Sequence, residues 1–339
     1  MKIAIIYNLL SSLKEGREQE ALADNEVLDI SNSIKSTLQA EGHLCEMIMI
    51  NQIKQIRTLS NFDLVFNLCE GIDGNAHSEA DIAAALERLR VPFTGTGSDG
   101  LKLCLNKYKS KERLLKKGII IPAYQIFNTA EEELNPSLQF PIIIKPVSED
   151  ASIGIDFDSV VYTQTELVKK VAQVIKKYKQ AVIVEEYIEG REINAAVLGN
   201  DDTMKVLPLS EIIFDYPAEV PKFLPYEAKW VEDSAFYKKS YGQCPAQLNS
   251  TEINLVEEVA KKCFKLCHCK DYARVDFRIK DGIPYVLEIN PNPCINPNDS
   301  GFIHSIKTEG KDFSYLIKQI VQLTMKRFRL EATPWITSS

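Results

Sequence analysis

The sequence predicts a mixed α/β and α+β fold that begins with a parallel α/β domain. Two observations carry this prediction. Strand-like and helical patterns alternate through the first hundred residues, which is typical of a mostly parallel sheet covered by helices. Near the end of the chain, two strand-like segments joined by a tight turn at 272–290 indicate an antiparallel hairpin.

The individual elements follow from the spacing of apolar residues and from helix-stopping glycines. In the N-terminal part we expect strands at 3–7, 44–50 and 64–68 and helices at 26–42 and 78–89. Further along we expect helices at 101–117, 164–177, 250–267 and 311–327, with strands at 141–146 and 181–186. Segment 214–241 is aromatic and interrupted by prolines. It is predicted to be a long irregular loop, and such loops are usually functional.

Charge and composition exclude several classes of protein. The net charge is −7, so a sequence-independent attraction to nucleic acid or to an anionic membrane surface is not expected. No segment approaches the roughly 18 consecutive apolar residues of a transmembrane helix. Eight scattered cysteines without a secretory signal indicate reduced thiols. We therefore expect a soluble, cytoplasmic protein.

The hairpin at 272–290 predicts a metal site. A three-residue loop, 280–282, with Gly282 in the left-handed conformation suits the turn. With this loop length and a period of two, one face is apolar and carries Val275, Phe277, Ile279, Ile283, Tyr285, Leu287 and Ile289. The other face carries Arg274, Asp276, Glu288 and Asn290. Two carboxylates and an amide oxygen suit Mg²⁺. The alternative is a solvated polar face, which antiparallel sheets commonly have.

The sequence indicates a functional role more strongly for Lys145 than for Lys107. Lys145 follows a run of isoleucines and precedes a proline, and a lysine at the end of a buried strand is more often functional than surface filler. Lys107 lies in a predicted helix with several other lysines, where a lysine is usually solvated.

Seven blocks, in order, resemble D-alanine–D-alanine ligases, which are ATP-grasp enzymes. They are VPFTG at 91–95, NK at 106–107, IIKP at 143–146, EEYIEGRE at 185–192, YEAKW at 226–230, RVDF at 274–277 and LEIN at 287–290. The resemblance implies a three-domain ATP-grasp fold. It places a Rossmann-like parallel α/β domain at 1–95, a small central α+β domain at 96–184 and a C-terminal α+β domain with an antiparallel sheet at 185–328. Residues 329–339 would form a tail.

The resemblance also implies a role for each matched position. ATP would be bound by Lys107, Lys145, Ser152, Glu185, Glu186, Ile188 and Glu192. Two Mg²⁺ ions, with Mn²⁺ as a substitute, would be held by Asp276, Glu288 and Asn290. Arg274 would stabilise the transferring phosphoryl group and the oxyanion. Residues 148–154 resemble the loop that covers the phosphates (here the phosphate loop), and 214–230 the loop that closes over the substrate (here the substrate loop).

The activity implied is an ATP-dependent, ADP-forming ligase that joins a small carboxylate to an amine through an acyl phosphate. A homodimer is compatible with this resemblance. Residues expected at the substrates are Glu26, Tyr226, Lys229, Asp299 and Ser300. Two alternatives remain open, namely an ATP-grasp kinase that phosphorylates a small-molecule hydroxyl, and a nucleotide-binding regulatory module without turnover.

The sequence departs from these ligases at the amino acid pockets. It has Asp150 and Ala151 where they carry glycine and serine, and Trp230 where they carry tyrosine. Asp299, or Ser300 after a shift of one position, stands where the family binds the carboxylate of its second substrate, and an acidic side chain there would repel a carboxylate. Substrates other than two D-alanines are therefore expected.

Two further patterns are not predicted to be sites. GTGSDG at 95–100 lacks the acidic residue that a dinucleotide-binding fingerprint needs about twenty positions later. Cys263, Cys267, His268 and Cys269 lack the two spaced pairs of a structural zinc site. We expect these cysteines to be buried thiols.

Overall fold

The computed structural model describes residues 1–9, 20–72, 75, 77–149, 152–231 and 233–330. Three β-sheets lie in this part of the chain, and helices pack against each of them. No helix among these residues is long and apolar enough to cross a membrane. The predicted domain boundaries at 95, 184 and 328 stay predictions, and the predicted tail lies almost entirely outside the described residues.

The N-terminal part is a parallel sheet covered by helices, as predicted. Its strands are β1 (Lys2–Tyr7), β2 (Leu44–Met49) and β3 (Leu64–Asn67), in the order β2-β1-β3. Its helices are α1 (Glu20–Ala40) and α2 (His77–Leu89). The central strand is buried on both faces, because its side chains alternate between two hydrophobic clusters. Helix α1 begins earlier than the predicted residue 26, since the added residues include strong helix formers.

The central part contains an antiparallel sheet and one prediction that was wrong. Helix 101–117 is in fact two helices, α3 (Ser98–Leu105) and α4 (Lys107–Leu115). The backbone of Asn106 is extended, and its side chain accepts a hydrogen bond from the Lys109 N–H, which caps α4. Lys107 is therefore the first residue of a helix. The strands are β4 (Tyr124–Phe127), β5 (Ile142–Pro146), β6 (Val160–Val161) and β7 (Val182–Glu186), with α5 (Gln164–Tyr178) against them.

The C-terminal part is built on the largest sheet. Its strands are β8 (Arg191–Leu198), β9 (Lys205–Val206), β10 (Ser210–Phe214), β11 (Ser240–Gln243), β12 (Tyr272–Lys280) and β13 (Ile283–Asn290). Its helices are α6 (Tyr226–Trp230), α7 (Ser250–Leu266), α8 (Gly301–Thr308) and α9 (Phe313–Phe328). Segment 214–241 is less irregular than predicted, because it contains α6 and the first half of β11. Helix α8 was not predicted.

The hairpin of β12 and β13 has the predicted polar face, but its loop length and its strand register differ from the prediction. Lys280 pairs with Ile283, so the loop has two residues, Asp281 and Gly282, both with positive φ. A bulge near Leu287 then shifts the register. The shorter loop and the bulge offset each other, and the predicted parity is restored at the end of the hairpin. Ile283, Tyr285 and Leu287 were wrongly assigned to the core; Ile283 is exposed, and Val286 is the fully buried residue there.

Candidate active site

The polar end of the hairpin is organised around the buried Asp276 carboxylate. Arg274 donates from Nε and Nη2 to the two carboxylate oxygens, at 2.7 and 2.8 Å. Asn290 donates at 2.9 Å, and Asn194, which sequence reasoning missed, donates from β8 at 2.8 Å. Register places these groups together, because Asp276 lies between β8 and β13 and pairs with both Asn194 and Glu288. The predicted convergence of Arg274, Asp276 and Asn290 is confirmed.

Without a bound nucleotide, the oxygen atoms around Asp276 provide only some of the ligands that Mg²⁺ needs. Among the described residues, no group of three or more His, Cys, Asp or Glu side chains could hold a metal ion. The hairpin offers two carboxylates, Asp276 and Glu288, and the Asn290 amide oxygen. Mg²⁺ prefers such ligands and takes the rest from water and phosphates. Because each oxygen of Asp276 already accepts one hydrogen bond from Arg274 and one from an asparagine amide, a cation at that carboxylate requires one of these donors to be displaced.

A buried ionic triad lies beside the hairpin. Glu185 is 3.0 Å from Lys111 Nζ through one oxygen and 2.9 Å from Lys145 Nζ through the other. Burial opposes ionisation of Glu185, but the two ammonium groups outweigh it and hold the pKa of this carboxyl at about 2. Burial also lowers the pKa of Lys111. The structure thus brings Lys145 and Glu185, both predicted to bind ATP, together with a third charged residue, Lys111.

Lys111 is the residue of this triad that sequence reasoning missed. It is fully buried, and its Nζ also donates to the Leu287 carbonyl at the bulge of β13, at 3.1 Å. One ammonium group therefore connects the nucleotide side of the site with the strand that carries Glu288. A signal existed in the sequence, because Lys111 follows Lys107 by one helical turn and shares its helix face.

Lys107 and Ser152, two of the residues predicted to bind ATP, line a small cavity. Its volume is about 40 Å³, and its lining residues are Lys107, Pro146, Glu149, Ser152, Ile153, Ile155 and Glu288. Lys107 Nζ donates to the Glu149 carbonyl and lies 4.0 Å from Glu288. A cavity of this size holds water but no triphosphate. A triphosphate bound beside Lys107 would therefore need more room than this cavity offers.

The remaining predicted nucleotide ligands are Glu186 on β7, Glu192 on β8 and Ile188 between these two strands. Ile188 is buried, and Glu192 forms an ion pair of 2.7 Å with Arg278, a residue that sequence reasoning missed. Burial raises the pKa of Glu192, while Arg278 opposes the increase. Glu186 does not join Glu185, because neighbouring residues of a strand point to opposite faces. Its side chain lines a separate open groove with Tyr108 and Tyr124.

The residues predicted at the substrates lie around the loop that follows β13. Glu26 accepts hydrogen bonds from Asn296 Nδ2 at 2.8 Å and Cys294 Sγ at 3.3 Å. The N-terminal helix α1 thereby reaches the C-terminal part of the chain. Asp299 is exposed and lies 3.0 Å from His304 Nε2. Ser300 caps helix α8 by accepting from the Ile303 N–H.

The last two predicted substrate residues lie on α6, within the substrate loop. The Tyr226 N–H donates to the Ile155 carbonyl at 2.9 Å, so this loop contacts the end of the phosphate loop. Lys229 lies one turn along the same helix. Asp150 and Ala151, at which the sequence departs from the ligases, lie outside the described residues, as does the side chain of Trp230.

The comparisons place the chain in a family. Residues 114–322 match the family described as D-ala D-ala ligase C-terminus, so the chain belongs to that family. A D-alanine–D-alanine ligase of Carboxydothermus hydrogenoformans is 30% identical over 337 residues, covering 96% of this chain and 99% of that protein. An uncharacterized protein of Sinorhizobium fredii is 34% identical over 313 residues, covering 88% of each chain.

The solved structures show the same fold. The crystal structure of D-alanine–D-alanine ligase from Bacillus anthracis complexed with ATP matches with a TM-score of 0.75 at 24% identity, covering 98% of this chain and 100% of that one. The expected three-domain ATP-grasp fold is thus confirmed. With its family, the chain is an ATP-dependent, ADP-forming ligase that makes an amide bond and uses Mg²⁺.

Proposed function

We propose that this ligase activates a small carboxylate substrate as an acyl phosphate, which a small amine then attacks, and that its substrates differ from two D-alanines. The observation that supports it best is the Asp276 cluster of the hairpin, next to the cavity lined by Lys107 and Glu288. Residues suited to holding phosphates and a divalent cation thereby lie next to the Arg274 guanidinium, which its two hydrogen bonds to Asp276 hold in position. This combination suits phosphoryl transfer followed by attack on a carbonyl.

In this proposal each side chain has a defined task. Lys107 and Lys145 bind phosphate oxygens of ATP, and Glu192 accepts hydrogen bonds from the ribose. Asp276, Glu288 and Asn290 hold Mg²⁺, which offsets charge on the phosphate oxygens when bound. Arg274 donates to the transferring phosphoryl group and then to the oxyanion formed when the amine attacks.

The contacts between the two loops have a role in the same chemistry. An acyl phosphate reacts readily with water, so the site must be closed while the intermediate exists. Ser152 Oγ donates to the Leu224 carbonyl at 3.0 Å, which joins the phosphate loop to the substrate loop. Closure of both loops therefore limits the access of bulk water to the cavity lined by Lys107 and Glu288.

The choice of substrates follows from the groups around the end of β13. Glu26 is engaged by Asn296 and Cys294, and the exposed Asp299 lies near His304. Carboxylates at this position favour an amine or cationic group and disfavour a second carboxylate. We therefore propose an amine-bearing acceptor whose own carboxylate, where it has one, lies away from Asp299.

The experiment is a condensation assay. The protein is incubated with ATP, Mg²⁺ and pools of amino acids and small carboxylates, and products are identified by mass. We expect a condensed product and phosphate release that requires both co-substrates, whereas D-alanine alone gives little of either. The D276N variant is the control for enzyme-dependent turnover. A phosphorylated hydroxyl without condensation would favour the kinase alternative instead.

The expected homodimer and cytoplasmic location stay predictions. Sedimentation equilibrium of the purified chain, with and without ATP, decides the first. A mass of a single chain under both conditions contradicts it.

A further inference from the structure

Arg278 is a buried arginine that no step of the proposed chemistry uses. It lies on β12, four residues after Arg274, and is 3% exposed. Its guanidinium donates to Glu192 Oε2 at 2.7 Å, to the Gly190 carbonyl at 2.9 Å and to the Lys222 carbonyl. A planar guanidinium can bond several acceptors at once in a fixed geometry, which an ammonium group cannot.

The Lys222 carbonyl belongs to the substrate loop. It also accepts a hydrogen bond from the Tyr187 hydroxyl at 3.0 Å. The next residue, Phe223, contacts the rings of Tyr187 and Phe157, with centroid distances of 6.3 and 5.7 Å. Residues 222–223 are thus anchored to β12 and to the end of β7.

The following residues of the substrate loop hold the phosphate loop. The Leu224 carbonyl accepts from Ser152, and the Tyr226 N–H donates to the Ile155 carbonyl. In the proposed function the triphosphate of ATP binds beside Lys107 and Glu288, which line a cavity of only about 40 Å³. Binding of ATP then requires the contacts of residues 222–226 to open, and their closure afterwards depends on what anchors these residues.

We propose that Arg278 is a positioning residue that holds both the Glu192 carboxylate and the closed substrate loop, so that ATP binding and loop closure strengthen each other. The inference rests on the proposed function, in which Glu192 binds the ribose. Without Arg278 the buried Glu192 loses its counter-charge, and the Lys222 carbonyl loses a charged donor. Such coupling is reciprocal. If closure of the loop strengthens ATP binding, bound ATP must stabilise the closed loop by the same free energy.

The neighbouring residue on β8 offers a matched control. Arg191 forms a similar pair with Glu211, with 2.8 Å from Nε to Oε1. Neighbouring residues of a strand point to opposite faces, so this pair lies across the sheet from Glu192 and Arg278. An Arg→Met substitution at 191 removes a guanidinium–carboxylate pair from the same strand without touching the substrate loop.

The experiment compares R278M, R278K and R191M with the wild type in two measurements. The first is hydrogen exchange of the peptide covering 222–226 in the free protein. The second is the dissociation constant of ATP with Mg²⁺ and no other substrate. For R278M we expect exchange in this peptide to be about tenfold faster and ATP binding about tenfold weaker, because charged hydrogen bonds are lost. R191M should leave both measurements unchanged.

R278K keeps the proposal testable where R278M does not fold. Lysine retains the charge beside Glu192 but cannot span all three acceptors, so we expect fast exchange at 222–226 with a smaller loss of ATP affinity. Wild-type exchange in a folded R278K or R278M overturns the proposal, as does faster exchange of equal size in R191M. If the wild type itself binds no ATP, the proposed function fails, while the exchange data still decide whether Arg278 holds the loop.

Discussion

Two buried aspartates lie five positions apart, Asp271 just before β12 and Asp276 within it. Each of them accepts hydrogen bonds from an arginine. Arg327 contacts both oxygens of Asp271, at 3.2 and 2.7 Å. Arg274 contacts both oxygens of Asp276, at 2.7 and 2.8 Å. The local chemistry of the two clusters is nearly the same, so the difference in their roles must come from what surrounds them.

The partners of Asp271 come from distant parts of the chain. The Gly95 N–H donates to it at 2.9 Å, and Thr324 Oγ1 on α9 donates at 2.9 Å. Arg327 on the same helix also donates to the Phe93 carbonyl. Asp271 thereby joins segment 93–95, the C-terminal helix α9 and β12. Such a cluster stabilises the packing of these distant segments against one another.

The partners of Asp276 come from the two strands beside it, and a cavity lies next to them. Asn194 and Asn290 hold the carboxylate in place, while Glu288 on the paired strand lines the phosphate cavity. A buried carboxylate–guanidinium pair is therefore not evidence of catalysis by itself. The neighbouring cavity and additional ligands distinguish the functional cluster from the structural one.

The largest effect is expected from D271N. This substitution leaves the partly buried Arg327 guanidinium beside a neutral amide, and removing one partner of a buried ion pair costs about 3–5 kcal/mol of unfolding free energy. Urea unfolding followed by circular dichroism measures the loss. E41Q is the matched control, because the partly exposed Glu41–Lys318 pair also contacts α9 and should contribute about 1 kcal/mol or less. Equal effects of D271N and E41Q contradict the assignment.

The next largest effect is expected from E288Q and D276N, and it concerns turnover. Loss of one group that stabilises developing charge lowers kcat by about 10²–10³-fold. E288Q should change the unfolding free energy by only about 0.5 kcal/mol, because Glu288 is partly exposed. Steady-state phosphate release and urea unfolding are measured on the same preparations. An E288Q protein with wild-type turnover shows that the metal assignment is wrong.

The sequence predicted the alternating N-terminal domain and the polar face of the hairpin, because strand periodicity and turn chemistry are local properties. The parity survived although the predicted loop was one residue too long, since the bulge near Leu287 compensated for the error. Bulges are tertiary features without a reliable local signal. The break at Asn106 was missed because no glycine or proline interrupts the sequence between 101 and 117.

The missed site residues share a physical cause. Lys111, Arg278 and Asn194 are functional candidates only because distant strands bury them beside Glu185, Glu192 and Asp276. A single sequence gives the residue type but not the partner. The family resemblance supplied Glu185, Lys145 and Glu192 because these positions match motifs, whereas Lys111 and Arg278 lie outside the matched blocks.

A smaller loss of stability is expected from E185Q, although it too removes a partner from a buried ionic cluster. Unlike an arginine, the freed Lys111 can release its proton, and burial already lowers its pKa. We therefore expect a loss of about 2–3 kcal/mol of unfolding free energy, with weaker ATP binding. Isothermal titration and urea unfolding measure the two. A loss as large as that of D271N shows that Lys111 stays charged.

The pH dependence of the E185Q effect has a definite sign. The pKa of Glu185 falls from its ordinary value of 4.5 to about 2 on folding, so its charge stabilises the folded protein above pH 4.5. That contribution is lost as the pH falls from 4.5 towards 2. The difference in unfolding free energy between wild type and E185Q should therefore be constant above pH 4.5 and shrink below it. A difference that grows in acid contradicts the depressed pKa.

The smallest effect concerns Ser300, where a structural and a functional role compete for one hydroxyl group. As the cap of α8, Ser300 accepts from the Ile303 N–H at 3.2 Å, and S300A should cost about 1 kcal/mol of unfolding free energy. S300N retains a capping side chain and should restore most of that stability. If Ser300 also contacts a substrate, S300N keeps a raised KM for the amine although its stability is restored. If it acts only as a cap, KM returns to the wild-type value together with the unfolding free energy.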